Sequence, residues 1–369
     1  MKHKLQFSDR SMVDSAFLLS RILLRFDQSS PDLIGNISAA AISPDGSLWT
    51  GSDELNTIER LSPLDPFVYG NQKSFAIADF LSLDQQGGEI DIEGMDYSPH
   101  YLWIAGSHST KRKRPKGKNA VKDIRRLKEV ATEPNRYLLG RIPIQNGNLL
   151  KSCPHPQKSD QALTAACLQR HQDTNVLIEA LKEDVHLGDF VANTLPSKEN
   201  GFDIEGLAVY RNRLFLGLRG PVLRGWAIIL EIEVAETEPG ILTLQPFRQT
   251  GQRYKKHFVD LDGLGIRDLC FHDDHLLILA GPTMDLAGAT RLFQLKYALS
   301  QENDSLSCQG DGRLDALLDL PFHPTADKAE GLTLFPCFGK SEAFMVLYDS
   351  PQSTRMLEPG AILVDVFKL

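Results

Sequence analysis

The chain has 369 residues, 42% of them apolar and 24% charged, proportions that exclude a disordered or fibrous polymer and fit an ordinary globular protein. A formal net charge of −8 argues against nonspecific nucleic-acid binding by the surface as a whole. No stretch approaches the roughly 20 apolar residues of a membrane span.

The opening residues, 1–15, read as a tail. The apolar run that follows, Ala16 to Ser20, is broken by Arg21 and Arg25 and is not a convincing signal peptide. The five cysteines (Cys153, Cys167, Cys270, Cys308, Cys337) are an odd number without CxxC spacing, which points to a reducing compartment. A cytoplasmic protein with no membrane partner is the expectation.

Ile22–Phe26 reads as a strand. A hairpin phrase then begins at Ser38–Ile42 and leads into Leu48–Asp53. Thr57–Leu61 and Phe75–Leu81 follow as third and fourth strands. The phrase returns as Asp91-Ile92-Glu93-Gly94-Met95 leading into Leu102–His108. A basic insertion, residues 110–135, comes next. Its segment from Lys111 to Lys128 holds ten Lys/Arg against one acid, Asp123, a local +9 that leaves −17 for the remainder. Tyr137–Ile142 is the next third strand. Residues 152–187 show Ala162, Leu163, Ala166, Val176, Leu177, Ala180 and Leu181 near helical spacing, so a helical insertion is expected there. Asp189–Ala192 is taken as the fourth strand.

The fullest copy is Gly201–Tyr210, containing Asp203-Ile204-Glu205-Gly206-Leu207 and leading into Leu214–Arg219. Ala227–Ile232 and His257–Leu261 complete it. Gly265-Ile266-Arg267-Asp268-Leu269 leads into Leu276–Gly281, with Leu292–Leu295 and Leu314–Leu320 after it. The last copy, Lys328–Leu332, leads into Phe344–Asp349 and Ala361–Val366. With Ala41, Met95, Leu207, Leu269 and Leu332 equivalent, the spacings are 54, 112, 62 and 63. A period of this size means a propeller, solenoid or array. The last copy lacks a fourth strand, which Ile22–Phe26 can supply. The expectation is an all-β, single closed β-propeller over residues 16–369, its termini joined in one blade. Five blades are preferred, with six as the alternative if the long insertion hides a degenerate one.

In a propeller the start of strand one and the end of strand two share one face. Asp91, Glu93, Asp203, Glu205, Asp268 and Glu330 would therefore converge with His108, Arg219, Asp349 and Asp53 at the channel mouth. The basic insertion leaves from that face; the helical one is expected on the other. Carboxylates about 4 Å apart repel by roughly 1–4 kcal/mol per pair at surface-like dielectric. The ring therefore needs a cation, shared protons or basic neighbours. Oxygen-only ligands favour a hard ion such as calcium or magnesium. Alternatively Lys198, Arg219 and Arg267 neutralise the acids directly and the phrase is blade glue. His108 and Asp268 are the candidates for proton transfer. Arg219, Arg267, Lys198 and Asn200 are the candidates to hold an anion. His272-Asp273-Asp274-His275 reads as turn chemistry. Gly339-Lys340-Ser341 lacks the first glycine of a phosphate loop.

The repeated Asp-x-Glu-Gly hairpin resembles the phytase-like and esterase-like β-propellers. The longer phrase Leu195–Leu207 is closer to an uncharacterised bacterial propeller family, a domain of unknown function. The phytase-like resemblance implies that Asp91, Glu93, Asp203, Glu205 and Glu330 ligate a divalent metal, calcium in preference to magnesium, which with basic side chains holds a phosphoester. This chain departs from that pattern at Arg267-Asp268 and at the alanines of the first copy. Two functions stay open: a metal-dependent hydrolase of phosphoesters or related esters, or a noncatalytic scaffold binding a protein or small anionic ligand. Nucleic acid is not an expected partner.

Overall fold

The computed structural model describes residues 18–27, 31–84, 88–284, 286–321, 323–336 and 343–369. The tail 1–15, Cys337 and Gly339-Lys340-Ser341 lie outside the described residues.

Apolar runs of five to eight residues, punctuated by turn residues, fold into four-stranded antiparallel meanders. The first unit is Ile37–Ile42, Leu48–Ser52, Thr57–Asp65 and Val68–Ala76. The second is Ile92–Ser98, Tyr101–Gly106, Leu139–Gln145 and Ala166–Leu168. The third is Asp203–Tyr210, Arg213–Gly220, Trp226–Glu238 and Tyr254–Asp260. The fourth is Gly265–His272, His275–Gly281, Arg291–Leu295 and Leu314–Asp319. The last is Lys328–Leu334, Ala343–Asp349 and Ala361–Lys368, completed by the N-terminal strand Leu18–Arg25.

Each first strand packs against the first strands of the units before and after it. The series runs from Ile37–Ile42 through Ile92–Ser98, Asp203–Tyr210, Gly265–His272 and Lys328–Leu334 back to Ile37–Ile42. The first strands thus ring one axis, which makes this all-β chain a propeller. The hydrophobic clusters repeat the same order. Trp49 and Ile58 of the first unit pack with Ile92 and Ile104 of the second. Ile22 and Val364 of the last pack with Leu48 and Leu61 of the first. Burial between sheets therefore drives closure, and a closed ring leaves few exposed edges.

Closing the ring leaves the inward edge of each first strand without a sheet partner. Two carboxylates answer part of this need. Asp96 accepts from its neighbour's Tyr97 N at 2.7 Å and, across the unit boundary, from Val209 N at 2.7 Å. Asp268 accepts from Leu269 N at 2.8 Å and from Leu332 N of the next unit at 2.7 Å. Each acid thus staples two first strands together.

The structure corrects several sequence expectations. The fourth strand of the first unit is Val68–Ala76, earlier than Phe75–Leu81. The fourth strand of the second unit is Ala166–Leu168; Gly188–Ala192 is a short helix. The basic insertion is a hairpin, Thr110–Arg112 with Val130–Thr132, carrying a helix over Ala120–Lys128. Half of the supposed helical insertion is strand. Ser152–His155 pairs with Lys158–Thr164, and helix is confined to Val176–Leu181. The apparent helical spacing came from counting across the hairpin and the strand Ala166–Leu168 as if they were one element.

Its placement differs too. The hairpin sits on the far face, where the His155 and His100 rings lie 5.1 Å apart. Ala166–Leu168 then carries the chain back. The helix Val176–Leu181 consequently lies on the mouth face, where its cap Asn175 meets His108.

Two predictions follow from this architecture. Asp365 is buried and holds the closing unit together: it accepts from Arg21 Nε at 3.1 Å, Arg355 Nη2 at 2.7 Å and Tyr348 OH at 2.8 Å. Asp365→Ala leaves Arg355 and Tyr348 without this acceptor and should cost about 3–5 kcal/mol in urea unfolding.

The second concerns pH. Asp96 keeps some accessible surface but is walled in by protein. Burial pushes it up to about 7 against its two backbone donors. A carboxyl raised by folding keeps its proton where the unfolded chain has lost it, so stability falls as pH rises from about 4, the ordinary value, to about 7. Melting by scanning calorimetry should drop across that window, and less steeply in Asp96→Asn.

Candidate functional site

In every first strand the pairing with the second strand slips by one residue at the same height. Ile37 faces Ser52 and Ala39 faces Gly51, which skips Ser38. The same slip skips Glu93, Glu205, Arg267 and Glu330 in the other units. Each skipped residue is a β-bulge, whose side chain is re-aimed out of the regular pleat. After Glu93 and Glu205 a glycine follows where the neighbouring first strand comes close. A Cβ on Gly94 would lie 2.7 Å from Leu207 Cβ, and one on Gly206 would lie 3.0 Å from Leu269 Cγ. Aligned by their bulges, the repeats place Ser38, not an alanine, where the glutamate stands in the others.

The bulges bring Glu93, Glu205, Arg267 and Glu330 to one axis. Arg219 Nη2 lies 2.6 Å from Asp203 Oδ2, and its Nη1 lies 2.6 Å from Glu205 Oε1. Arg267 Nη1 lies 2.9 Å from Glu205 Oε2, and its Nη2 reaches Glu330 Oε1. The arginines thus form a continuous belt, Asp203–Arg219–Glu205–Arg267–Glu330. Burial pushes Asp203 upward against the pull of Arg219. Arg219 is raised: burial opposes its charge, but Asp203 and Glu205 outweigh it.

The second unit has its own cation. Arg136, buried in the turn before strand Leu139–Gln145, lies 2.7 Å from Asp91 Oδ2 and also binds Glu89. Its Nη1 donates to Ser109 Oγ at 3.1 Å. Asp91 itself has φ of 58°, a left-handed conformation that non-glycine residues adopt at a cost and that recurs at functional sites. Burial raises Asp91 despite Arg136.

Glu93 is left over. Among the described residues no ion pair or hydrogen bond reaches it. Burial, then the charges of Glu205, Asp91, Asp53 and Asp203, raise it well above the carboxylate range. Beside it stands Asp53, from the end of the first unit's second strand. Burial, with Asp91 and Asp349, pushes Asp53 up to about 7, and among the described residues its buried Oδ1 has no hydrogen-bond partner. One carboxylate oxygen from each of Asp53, Asp91 and Glu93 lies within 4.8 Å of the others. An orphaned buried oxygen within an all-oxygen donor set fits a hard divalent cation.

The predicted site residues therefore divide. Asp91 and Glu93 belong to the acidic cluster. Asp203, Glu205 and Glu330 reach the same axis but are engaged by Arg219 and Arg267, which are in turn unavailable to an incoming anion. Asp268 is fully buried as an interstrand staple, a place from which it cannot serve as a proton-transfer group at the mouth. His108, with φ of 55°, is also structural. Its Nδ1 lies 2.8 Å from Gly106 O and its Nε2 2.8 Å from Asn175 Nδ2. Burial lowers it to about 4, so the ring is neutral, donating to Gly106 and accepting from Asn175. Asn200 is a turn clip: its Oδ1 accepts from Val222 N at 2.9 Å. Lys198 is exposed and close enough to Asp53 to stabilise its charge.

Sequence reasoning brought Asp53 to the channel mouth without giving it a ligand role, and it missed Arg136. Asp53 ends a second strand and Arg136 precedes a third, and both positions lie on the mouth face. Strand polarity was thus a usable signal, but neither residue sits in the repeated acidic phrase.

No curated protein matches the chain. Solved structures with a related outline include the PQQ-bound aldose sugar dehydrogenase of Streptomyces coelicolor, at 9% identity and TM-score 0.38, covering 95% of this chain and 99% of that one. Regucalcin of Agrobacterium tumefaciens, a calcium-binding protein, gives 9% and 0.38 over 95% and 98%. The periplasmic gluconolactonase of Pseudomonas aeruginosa gives 14% and 0.34 over 84% and 64%. Likeness at this level carries no chemistry to this chain. A family match covers residues 36–365, and the chain belongs to that family, described as protein of unknown function (DUF3616).

Proposed function

We propose that this chain is a five-bladed propeller that binds a divalent cation, calcium in preference to magnesium, at Asp53, Asp91 and Glu93, and hydrolyses an ester or phosphoester at that mouth. The observation that carries the reading is the acidic cluster itself. One oxygen from each of its three carboxylates lies within 4.8 Å of the others, and among the described residues the buried Oδ1 of Asp53 has no hydrogen-bond partner.

Each residue has a stated task. Asp53, Asp91 and Glu93 supply oxygens, and Arg136 fixes the orientation of Asp91. A bound divalent cation supplies Lewis acidity and a water of lowered pKa. Of the four anion-binding candidates, Lys198, exposed beside Asp53, is the cation left available to meet a substrate's negative charge, since Arg219 and Arg267 are engaged by carboxylates. The phytase-like reading survives here only in this reduced form. A second reading has its own support. With both arginines engaged and His108 neutral and enclosed, the mouth equally suits a noncatalytic module that holds a small ligand or a protein through a bound cation.

Isothermal titration of calcium and magnesium into the metal-free protein tests the site. The wild type should bind, and Asp53→Asn and Glu93→Gln should each weaken binding by about tenfold or more. Cation-dependent turnover of p-nitrophenyl phosphate or p-nitrophenyl esters, absent in Glu93→Gln and with raised KM in Lys198→Ala, would support the hydrolase. Cation binding without turnover in either series leaves the binding module. No uptake of either ion removes the cation site and the hydrolase, and leaves a scaffold that binds its partner without a metal.

A further inference from the structure

The basic hairpin presents a helix whose orientation is inverted. A surface helix normally buries its apolar stripe and shows its charges to water. In Ala120–Lys128 no residue is buried. Val121 is 71% exposed, Ile124 69%, Leu127 46% and the following Val130 39%. Spacings of three place Val121, Ile124 and Leu127 on one face. The helix is attached by its polar side instead. Asp123 Oδ1 accepts from Lys116 N at 2.9 Å, and Arg126 Nε donates to Arg114 O at 2.7 Å. Asn119 caps the first turn by accepting from Lys122 N at 2.9 Å. The helix is therefore fixed in place with its apolar face outward.

The helix itself carries Lys122, Arg125 and Lys128, of which Arg125 and Lys128 flank that stripe by helical spacing, and the loop before it carries Arg114, Lys116 and Lys118. Among the described residues none of them has an ion-pair partner, whereas Arg112 and Lys113 pair with Glu199 and Glu129. The Arg112 fork, whose Nη2 lies 2.9 Å from Glu199 Oε2, ties the hairpin to the turn that carries Lys198. The helix consequently stands on the rim of the mouth.

We propose that this helix is a peripheral membrane anchor that lies on an anionic lipid surface. An apolar stripe flanked by unpaired cations, on a convex element, matches a flat interface with negative headgroups and a hydrocarbon boundary beneath them. Nucleic acid would meet the charges but leave the stripe unused, and the hairpin offers no aromatic side chain for base stacking. A second copy of this chain offers mouth carboxylates largely engaged by its own arginines. Docked in this way, the mouth faces the headgroup layer. The anchor replaces the expectation of no membrane partner. It does not involve spanning: no described helix is long and apolar enough to cross a membrane.

Co-sedimentation of the full chain with vesicles tests the anchor. The protein should pellet with phosphatidylcholine vesicles containing about a third phosphatidylglycerol and stay in solution with phosphatidylcholine alone. Binding should fall about tenfold or more between about 50 and 500 mM salt. V121D/I124D and K122E/R125E should each abolish it, with melting curves unchanged because these side chains are exposed. Wild-type protein that remains in the supernatant at low salt overturns the proposal. So does a V121D/I124D variant that pellets as well as the wild type. Capture by polyglutamate without vesicle binding would assign the face to an acidic polypeptide instead.

Discussion

A β-bulge leaves one residue without a cross-strand partner, and in this propeller it falls at the same height in each first strand. The consequence is a ring of side chains at the axis: Ser38, Glu93, Glu205, Arg267 and Glu330. Four glutamates there would repel one another by roughly 1–4 kcal/mol per close pair. Arg267 stands in place of one of them and neutralises the glutamates on both sides. Arg219 extends the pairing to Asp203. One arc of the ring is therefore balanced. The opposite arc has Ser38, whose hydroxyl donates to Ile92 O, and Glu93, for which no arginine is provided. Asp53 brings a further acid to that arc. The site is this asymmetry.

The same geometry explains why buried acids appear below the mouth. A strand at the axis has one edge facing a sheet and one facing the channel, and buried backbone N–H groups need acceptors. Asp96 and Asp268 provide them across unit boundaries, as main-chain carbonyls do inside a sheet. Their cost is desolvation, which raises both carboxyls. Acids at the axis thus do two separate jobs, and height distinguishes them: the bulge residues meet at the mouth, and the staples sit beneath.

Much of this was legible in the residues. The repeated phrase identified the first strands, the acid at the bulge and the glycine beside it. The short last copy pointed to the N-terminal strand as the closing partner, and Leu18–Arg25 pairs there. What failed did so for local reasons. The first copy has neither an acid nor a glycine at its bulge to anchor the alignment, which therefore falls one position late, on Ala39 instead of Ser38. Helical periodicity was counted across a hairpin turn, which hid the short strand Ala166–Leu168. Asp268 shares the acidic character of the mouth phrase, yet it occupies the glycine position, and only the backbone partners reveal that it faces the next strand. Direct neutralisation by Arg219 and Arg267 was one of the open alternatives, but which acids each would take was not legible: Arg219 pairs within its own unit, whereas Arg267 joins Glu205 and Glu330 of the units on either side.

Ionised carboxylates walled in by protein and lacking a partner must acquire a proton or a cation. For Asp53 the balance lies near neutrality, since burial and its acidic neighbours push it up to about 7. An arginine at the bulge removes the choice on the other arc, where Arg267 stands. The serine instead leaves Glu93 open to whatever positive charge the solvent supplies. A purely architectural ring would gain stability from closing that gap. Keeping it open fits a mouth whose remaining charge is meant for something that arrives from outside.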